Sequence, residues 1–387
     1  MRIAIQASDL DNQRIDGTRV YLLNMLNRFG KICPNDDFFV YHKRDFNFEL
    51  TPTEFPNYQF ISKNFPIYWT QTRFAVELWK GDYDALWMPM QALPFVRRRK
   101  LKTTVTIHDL AFKYFPNLFL QKDLRRLNLL TDFAIKHCDK IIAVSHSTKS
   151  DILKLYPQAR EEKIKVIHHG FDEKLFGENY SEEAVDTILS KFQISAIGGS
   201  AYGGQNTKYI LYVGALQPRK NLEVLIEAFD KIKNLSRSNL DRSELKLVLA
   251  GGKGWLWGDI IKRIEKSPYR NDIILTGTIS FEDLVILYKN AAMFVFPSLY
   301  EGFGMPILEA FASKVPVISA KNSSLTEIGG DAALYFNEKD SNDLALKMQT
   351  ILEDEDLKNE LIKKGEKRLQ NFSWDKCAKE TMEFIKS

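Results

Sequence analysis

Short apolar runs alternate with stretches of helical periodicity along almost the whole chain. A continuous apolar run of about four to eight residues is typical of a strand that is covered on both faces, as in a parallel sheet. Between these runs, apolar residues recur at the spacing of amphipathic helices. The predicted strands are 2–7, 38–42, 58–62, 85–88, 103–107, 140–144 and 165–169, and then 209–213, 245–250, 273–275, 292–296 and 315–319.

The alternation of strand and helix occurs twice. It weakens after residue 170, where a glycine-rich run occupies 198–204, and it resumes at 209–213. With 387 residues the chain is long enough for two domains that each have their own core. We therefore predict two doubly wound α/β domains, over 1–172 and 173–371.

A strand, a glycine loop and a helix follow one another over 292–312. The loop contains Gly302 and Gly304, and Pro306 lies near the first helical position, which suits its fixed φ and its missing N–H. Loops that follow the strands of an open parallel sheet lie at its carboxyl edge, where ligands bind. The pattern therefore predicts a binding loop.

The chemistry of this loop suits a nucleotide sugar. Backbone N–H groups at a helix start favour a phosphate, and carboxylate oxygens accept hydrogen bonds from neighbouring hydroxyl groups. The carboxylates are those of Glu301 and Glu309, although a glutamate near a helix start also serves the helix dipole alone. The backbone donors belong to Gly302, Phe303, Gly304 and Met305.

A basic turn follows the strand 209–213. It begins at Gly214 and contains the adjacent cations Arg219 and Lys220 just before a predicted helix. Arginine can form two hydrogen bonds to phosphate oxygens, and lysine adds a point charge. The turn is therefore either an anion clamp or a solvated basic turn.

His108 and Asp109 end the predicted strand 103–107 and so lie on the functional edge of the first sheet. The alternative is a structural pair in which Asp109 caps the next turn. Ser145 and His146 also follow a strand, but no G-x-S-x-G motif surrounds them, and we expect Ser147 to cap a helix there.

The loop after the first strand is polar. It begins with Ser8 and Asp9 and ends at Gly17, and Thr18 is the expected cap of the next helix. A glycine loop before a helix suggests a ligand rim, although the G-x-G-x-x-G fingerprint of dinucleotide sites is lacking.

Three segments resemble glycosyltransferase family 4, the group 1 glycosyltransferases. The spacing of Glu301 and Glu309, with seven residues between them, is similar to the family signature. The segments are Glu-Gly-Phe-Gly-Met-Pro at 301–306, Thr-Val-Thr-Ile-His-Asp-Leu-Ala-Phe at 104–112 and Pro-Arg-Lys-Asn at 218–221. The resemblance covers nearly the entire chain.

The resemblance implies the GT-B fold, in which two Rossmann-like domains face each other across a cleft and the last helix, here within 372–387, packs back on the first domain. It implies a retaining transfer of a hexose from a nucleoside-diphosphate sugar, without a metal ion or other cofactor. No Asp-x-Asp motif is placed to bring a metal to the diphosphate.

The resemblance also implies residue roles. His108 would lie beside the transferred sugar, Arg219 and Lys220 would hold the diphosphate, Glu301 would hold sugar hydroxyls and Glu309 the ribose diol. The expected donor-binding residues are Gly214, Gly251, Thr276, Gly277, Ile279, Gly302, Phe303, Gly304, Met305 and Glu309. The expected acceptor-side residues are Ser8, Asp9, Gly17, Thr18 and Asp109.

Two departures from the family pattern leave an alternative open. Arg19 replaces the second glycine of the Gly-Ile-Gly-Arg-Tyr that family members often have, and Ala215 stands where many have another arginine. A catalytically silent nucleotide-sugar-binding protein on the same fold is therefore the alternative. A GT-B epimerase or sugar phosphorylase is a third possibility, for which the sequence offers no support.

The composition is that of a soluble globular protein. Lys and Arg number 54 and Asp and Glu 50, an excess too small to indicate nucleic-acid binding. The three cysteines have no metal-type spacing, no stretch is long enough for a membrane span, and 1–7 is a strand instead of a signal peptide. We expect a cytoplasmic protein with reduced cysteines.

Basic clusters occur at 97–102 and 122–126. They fit either a solvated face or peripheral contact with anionic lipid headgroups at the cytoplasmic membrane face. The His-Asp-Leu-Ala-Phe and Pro-Arg-Lys-Asn segments resemble mannosyltransferases of bacterial surface-polysaccharide assembly. This favours GDP-mannose as donor and a glycan or lipid-linked acceptor.

Overall fold

Two compact units make up the protein. One consists of Met1–Gly170 with Phe372–Ser387, and the other of Phe171–Asn371. The computed structural model describes residues 1–12, 15–65, 68–194, 208–235 and 244–387. The glycine-rich run 198–204 lies outside the described residues.

The described residues form two parallel sheets. The strands of the first unit are β1 (Arg2–Gln6), β2 (Asp37–His42), β3 (Tyr58–Ser62), β4 (Ala85–Met88), β5 (Lys102–Ile107), β6 (Lys140–Ala143) and β7 (Ile164–Val166). Those of the second unit are β8 (Tyr209–Val213), β9 (Lys246–Ala250), β10 (Ile273–Gly277), β11 (Met293–Phe296), β12 (Val317–Ala320) and β13 (Ala333–Phe336).

The α-helices alternate with the strands. They are α1 (Gly17–Ile32), α2 (Arg73–Lys80), α3 (Ala111–Tyr114), α4 (Gln121–His137), α5 (His146–Leu155), α6 (Glu173–Gly177), α7 (Glu182–Lys191), α8 (Leu222–Asn234), α9 (Gly258–Glu265), α10 (Phe281–Lys289), α11 (Met305–Ala312), α12 (Leu325–Gly329), α13 (Ser341–Glu353), α14 (Glu355–Leu369) and α15 (Trp374–Lys386). Short 3-10 helices occupy Ser8–Asp11, Phe48–Leu50, Pro116–Leu118, Glu161–Lys163, Pro218–Lys220 and Arg270–Asp272.

Both sheets are doubly wound. The strand order is β3-β2-β1-β4-β5-β6-β7 in the first sheet and β10-β9-β8-β11-β12-β13 in the second. Every neighbouring pair is parallel. In each sheet the chain first builds one side and then crosses to the other, so the order reverses once. The predicted α/β architecture with two doubly wound sheets is confirmed.

Strands in the middle of each sheet are buried along their length, whereas the edge strands β3 and β10 are partly exposed. All four residues of β11 are buried, as the continuous run 292–296 predicts. In the first unit the last helix, α15, packs against α1 and buries Trp374 and Met382. The three cysteines are free and buried. None of the described helices is long and apolar enough to cross a membrane.

Several boundaries differ from the predictions. Helix α2 begins at Arg73 instead of near residue 68, because Tyr68 has a φ of +44°, outside the right-handed helical region. Strand β7 ends at Val166, because it pairs with β6 over only three positions at the sheet edge. Strand β13 was not predicted; its apolar residues are buried at both ends and half-buried in the middle.

Two of the helix caps are formed by residues other than those predicted, because neighbouring polar residues are equally acceptable by sequence spacing. The expected cap Thr18 is wrong, because Asp16 precedes α1 and accepts a hydrogen bond from the Arg19 backbone N–H at 3.3 Å. Ser145, not Ser147, caps α5 through the N–H of Thr148 at 3.0 Å. Ser373 caps α15 by accepting from the N–H groups of Asp375 at 3.2 Å and Lys376 at 3.5 Å.

Candidate functional site

The carboxyl ends of β8 and β11 lie side by side in the second sheet, because the two strands pair in parallel. The strand order reverses between them, since β9 and β10 lie on one side of β8 and β11 to β13 on the other. Such a reversal opens a crevice between the loops that follow the two strands, and ligands of open α/β sheets bind there. The loops 214–221 and 297–304 leave the sheet at this point.

Arg219, Lys220 and Glu301 meet at this reversal point. A guanidinium nitrogen of Arg219 lies 3.1 Å from Oε2 of Glu301. The ammonium of Lys220 donates a short hydrogen bond to Oε1, and it lies 5.2 Å from the ring centre of Phe296. Arg219 also donates to the carbonyl of Tyr300. We call Arg219, Lys220 and Glu301 the ionic cluster.

The ionic cluster is almost fully buried, since its side chains are only 10–12% exposed. Burial alone would raise the pKa of Glu301. The positive charges of Arg219 and Lys220, together with hydrogen bonds to the carboxylate, outweigh it and lower the pKa to about 2. Glu301 is therefore a carboxylate at every physiological pH, and it neutralises cations that could also bind an anionic ligand.

Asn221 fixes the turn that carries the two cations. Its φ of +57° lies in the left-handed region, which asparagine tolerates better than most residues. Its side-chain amide donates to the carbonyls of Pro297 at 3.1 Å and Glu338 at 2.7 Å. The Leu299 N–H donates to the carbonyl of Arg219 at 2.9 Å. These bonds join the loop after β8 to the loop after β11.

Two serines after β12 hold the other side of the Glu301 loop. The Glu301 N–H donates to Ser323 Oγ at 3.0 Å, and Ser324 Oγ lies 2.9 Å from the carbonyl oxygen of Glu301 and 2.8 Å from that of Phe303. The sequence gives no signal for either serine, because the loop 321–324 contains no glycine and its one charged residue, Lys321, directly follows the strand.

The start of α11 presents backbone amides next to the ionic cluster. Gly302 and Phe303 are buried, and Gly304 precedes the helix with a φ of +108°, a conformation that favours glycine. Met305 is the first helical residue. The helix dipole at such a start favours an anion.

Glu309 lies farther along α11 and is partly buried. Its Oε2 accepts a hydrogen bond from the hydroxyl of Tyr288 at 3.0 Å. Burial raises the pKa of Glu309 to about 7, although the Tyr288 hydrogen bond opposes this shift. Tyr288 was not predicted as a site residue, because it lies inside the apolar stripe of α10.

Backbone segments after β8, β9 and β10 pack closely at the same sheet edge. A Cβ atom on Gly251 would come within 2.1 Å of the Gly214 carbonyl oxygen, so only glycine fits there. The Gly251 N–H donates to the carbonyl of Gly277 at 3.1 Å. Thr276 ends β10 beside Gly277, and Ile279 is half-buried in the loop that follows. The predicted donor-binding residues all lie in the second unit at this edge.

His108 lies in the first unit, at the carboxyl end of β5. Its Nε2 is 2.8 Å from the carbonyl oxygen of Pro89, so Nε2 carries the proton and Nδ1 is the acceptor. The ring centre of His108 is 5.1 Å from that of Tyr21 and 5.6 Å from that of His169. Burial lowers the pKa of His108, which favours the neutral imidazole.

The expected acceptor-side residues surround β1 and β5 of the same unit. Ser8 and Asp9 follow β1, Gly17 and Thr18 begin α1, and Asp109 follows β5. The side chain of Asp109 accepts a hydrogen bond at 3.1 Å from the N–H of Ala111, the first residue of α3, while Leu110 occupies the N-cap position.

Two family models match the chain. The model described as Glycosyltransferase Family 4 matches residues 16–175, and the model described as Glycosyl transferases group 1 matches residues 203–368. Together they match most of the chain, and each falls largely within one of the two units. Their order along the chain agrees with the two sheets that the structure shows.

The chain is similar to "O-antigen chain mannosyltransferase B" of Escherichia coli, with 27% identity over 76% of this chain and 72% of the relative. It is also 27% identical to "O-antigen chain mannosyltransferase RfbU" of Salmonella typhimurium, over 70% of this chain and 65% of the relative. The match therefore spans about two thirds of these relatives.

The fold is similar to that of Anabaena HepE in a crystal structure with UDP and glucose. The TM-score is 0.73 at 18% identity, and the match covers 100% of this chain and 99% of HepE. The GT-B fold class predicted from the sequence is thereby confirmed.

Proposed function

We propose, because the chain belongs to the group 1 glycosyltransferases of glycosyltransferase family 4, that it is a retaining, metal-independent hexosyltransferase. The ionic cluster at the reversal point of the second sheet carries this proposal. It places two cations beside an amide-rich helix start. Both kinds of donor favour binding of the phosphates of a nucleoside diphosphate.

In the proposed reaction the acceptor hydroxyl oxygen bonds to the anomeric carbon while the bond from that carbon to the diphosphate breaks. The electron pair of the broken bond goes to the diphosphate oxygen, and the acceptor proton goes to the same leaving phosphate. Arg219, Lys220 and the N–H groups at the start of α11 stabilise the negative charge that develops there. Departure and attack on one face retain the anomeric configuration.

The remaining roles that we propose are those that the family resemblance implies. Glu301 accepts hydrogen bonds from sugar hydroxyls, and Glu309 binds the ribose diol. His108, with Nδ1 as its acceptor, is proposed to bind a hydroxyl of the transferred sugar. The close-packed backbone of Gly214 and Gly251 lies against the nucleotide in this proposal.

We propose mannose as the transferred sugar and GDP-mannose as the donor, supported by the two O-antigen mannosyltransferases to which the chain is similar. The acceptor is a glycan or a lipid-linked glycan of surface-polysaccharide synthesis. The protein acts in the cytoplasm, with peripheral contact at the membrane face that carries the acceptor.

A panel of nucleotide sugars tests the donor. GDP-mannose is expected to raise the melting temperature more than UDP-, ADP- or other GDP-sugars, and to release GDP only when an acceptor is present. NMR of the product should show an α-linked mannose, the configuration of the donor. An excess of a metal chelator should leave the transfer rate unchanged. Inverted product or chelator-sensitive turnover would contradict the mechanism.

The catalytically silent binding protein remains the second candidate. Arg19, which replaces a family glycine, is bound to its own loop through Asp16 and the Asp9 carbonyl at 3.0 Å. Ala215 adds no charge to the diphosphate site. A protein that binds GDP-mannose tightly but releases no GDP with any glycan acceptor would be this alternative.

A further inference from the structure

One face of α4 combines cations with apolar side chains. Its members recur at spacings of three and four, so they project from one side of the helix. All four cations are exposed, and Leu129 is 60% exposed. Asp123 lies about 110° and Asp132 about 70° around the helix from the middle of this face. Asp132 pairs with Lys113 at 2.7 Å. The members of the face are Lys122, Arg125, Arg126, Leu129, Phe133 and Lys136.

The segment 95–100 continues this face. The ring of Phe95 packs edge-on against Phe133, with centres 4.7 Å apart. Arg97 turns inward, donating to the carbonyl of His137 and lying 5.8 Å from the Phe133 ring centre, and so attaches the segment to α4. Val96 is 61% exposed, and the three cations that follow Arg97 are exposed as well.

The outer side of α2 lies along the same segment. Gln71, just before α2, accepts a hydrogen bond from the Phe95 N–H at 2.8 Å. At the other end of α2, Trp79 and the residues 98–101 line a surface cavity of about 290 Å³. Val76 and Trp79 are 45% and 54% exposed. The segment therefore runs beside α2 from its start to its end.

We infer that these elements form one membrane-docking surface, which we call the basic–aromatic face: the α4 face, residues 95–100, and Val76 and Trp79 of α2. Of the fifteen large apolar side chains that are most exposed among the described residues, six lie within 65–96. Exposed aromatic and aliphatic groups beside lysines and arginines fit the interface of an anionic phospholipid bilayer.

The charges distinguish a bilayer from a second copy of the chain. A two-fold dimer would bring the same patch of cations together, and like charges in contact oppose association. Anionic headgroups instead attract all of these cations, while Trp79 and Val96 enter the headgroup boundary. This inference rests on the proposed function in one respect only. The proposed lipid-linked acceptor lies in the membrane, which gives the protein a reason to bind the membrane surface.

Vesicle binding by the full chain tests the basic–aromatic face without donor or acceptor. The probe is a vesicle of phosphatidylglycerol with phosphatidylcholine, compared with phosphatidylcholine alone. The triple change Arg98→Gln, Arg99→Gln, Lys100→Gln should lower partitioning into anionic vesicles about a hundredfold at low salt. The matched control, Lys363→Gln, Lys367→Gln, Lys379→Gln, removes the same charge from other exposed positions and should leave partitioning within about twofold.

Trp79→Ser tests the apolar part separately. It should lower partitioning about tenfold at both low and high salt, because burial of an indole is not screened by ions. Circular dichroism melting confirms that each variant is folded. Equal binding of the triple variant and the control, or equal binding of both vesicle types, would overturn the inference. The inference would also be overturned if sedimentation without vesicles showed a dimer that Trp79→Ser converts to a monomer. Donor binding measured in the same variants stays unchanged, so a failure here is separate from a failure of the proposed enzyme.

Discussion

Replacing Glu301 by glutamine removes the carboxylate that pairs with Arg219 and Lys220, and it tests whether these cations are a diphosphate site. The pKa of Glu301 falls from an ordinary 4.5 to about 2 in the folded protein. Because one pKa unit corresponds to about 1.4 kcal/mol, the folded state gains roughly 3 kcal/mol from the ionised carboxylate. For a unit of about 200 residues, this loss should lower Tm by roughly 6–12 °C.

The sign of the pH dependence follows from the lowered pKa. The stabilisation is fully present above the unfolded pKa of about 4.5 and is lost as the pH falls towards 2. Acid unfolding of the wild type should therefore become steeper in this range, and the Glu301→Gln variant should lack that component. Glu282→Gln, at an exposed position on α10, is the matched control and should behave as the wild type does.

Pyrophosphate provides the decisive assay, because it presents the diphosphate without a base or sugar. In the wild type it competes with Glu301 for the two cations. In Glu301→Gln it meets cations that have lost this partner, so it should raise the melting temperature of the variant more than that of the wild type. An equal rise in both proteins, or a variant as stable as the wild type, would refute a diphosphate site at the ionic cluster.

Three further changes separate charge, ribose binding and loop geometry. Lys220→Ala should lower kcat about a hundredfold in steady-state transfer assays, the scale for losing one preorganised charge, and an unchanged kcat would remove the role of Lys220. Glu309→Ala should raise the donor KM with kcat nearly unchanged. In the wild type the donor KM should rise as the pH falls below about 7, because the Glu309 carboxylate becomes protonated. A Glu309→Ala variant whose donor KM depends on pH in the same way would contradict the role of Glu309. Asn221→Gly keeps the left-handed turn and loses the side-chain amide hydrogen bonds, whereas Asn221→Ala loses the same bonds and also strains the backbone. The free energy of unfolding measured with denaturant should therefore be about 1 kcal/mol lower for the alanine variant than for the glycine variant.

The sequence predicts the sheets and the loop chemistry because both depend on local pattern. The apolar run 292–296, the glycines after it and Pro306 identify strand, loop and helix without tertiary information. Arg219 and Lys220 are likewise visible as adjacent cations at a strand end. Their exact pairing with Glu301 depends on the strand order, which places residues 81 positions apart in contact.

The supporting residues could not be found from local pattern. Ser323 contacts the Glu301 backbone only because β12 lies beside β11, and Asn221 reaches Glu338 across 117 positions. Thr18 and Asp16 are both acceptable caps by composition, and the choice depends on the backbone path after β1. The basic–aromatic face is similar, because the two basic clusters are joined by the Phe95–Phe133 contact.

The position of α15 affects how the protein emerges from the ribosome. This helix covers α1 with Trp374 and Met382, and its start lies against Gly170, where a Cβ atom would come within 2.1 Å of the Trp374 nitrogen. Because about two hundred residues separate Gly170 from Trp374, the first sheet and its helices must wait, with the apolar side of α1 uncovered, until α15 has been synthesised. Chaperone capture of the nascent chain should therefore persist until α15 leaves the exit tunnel.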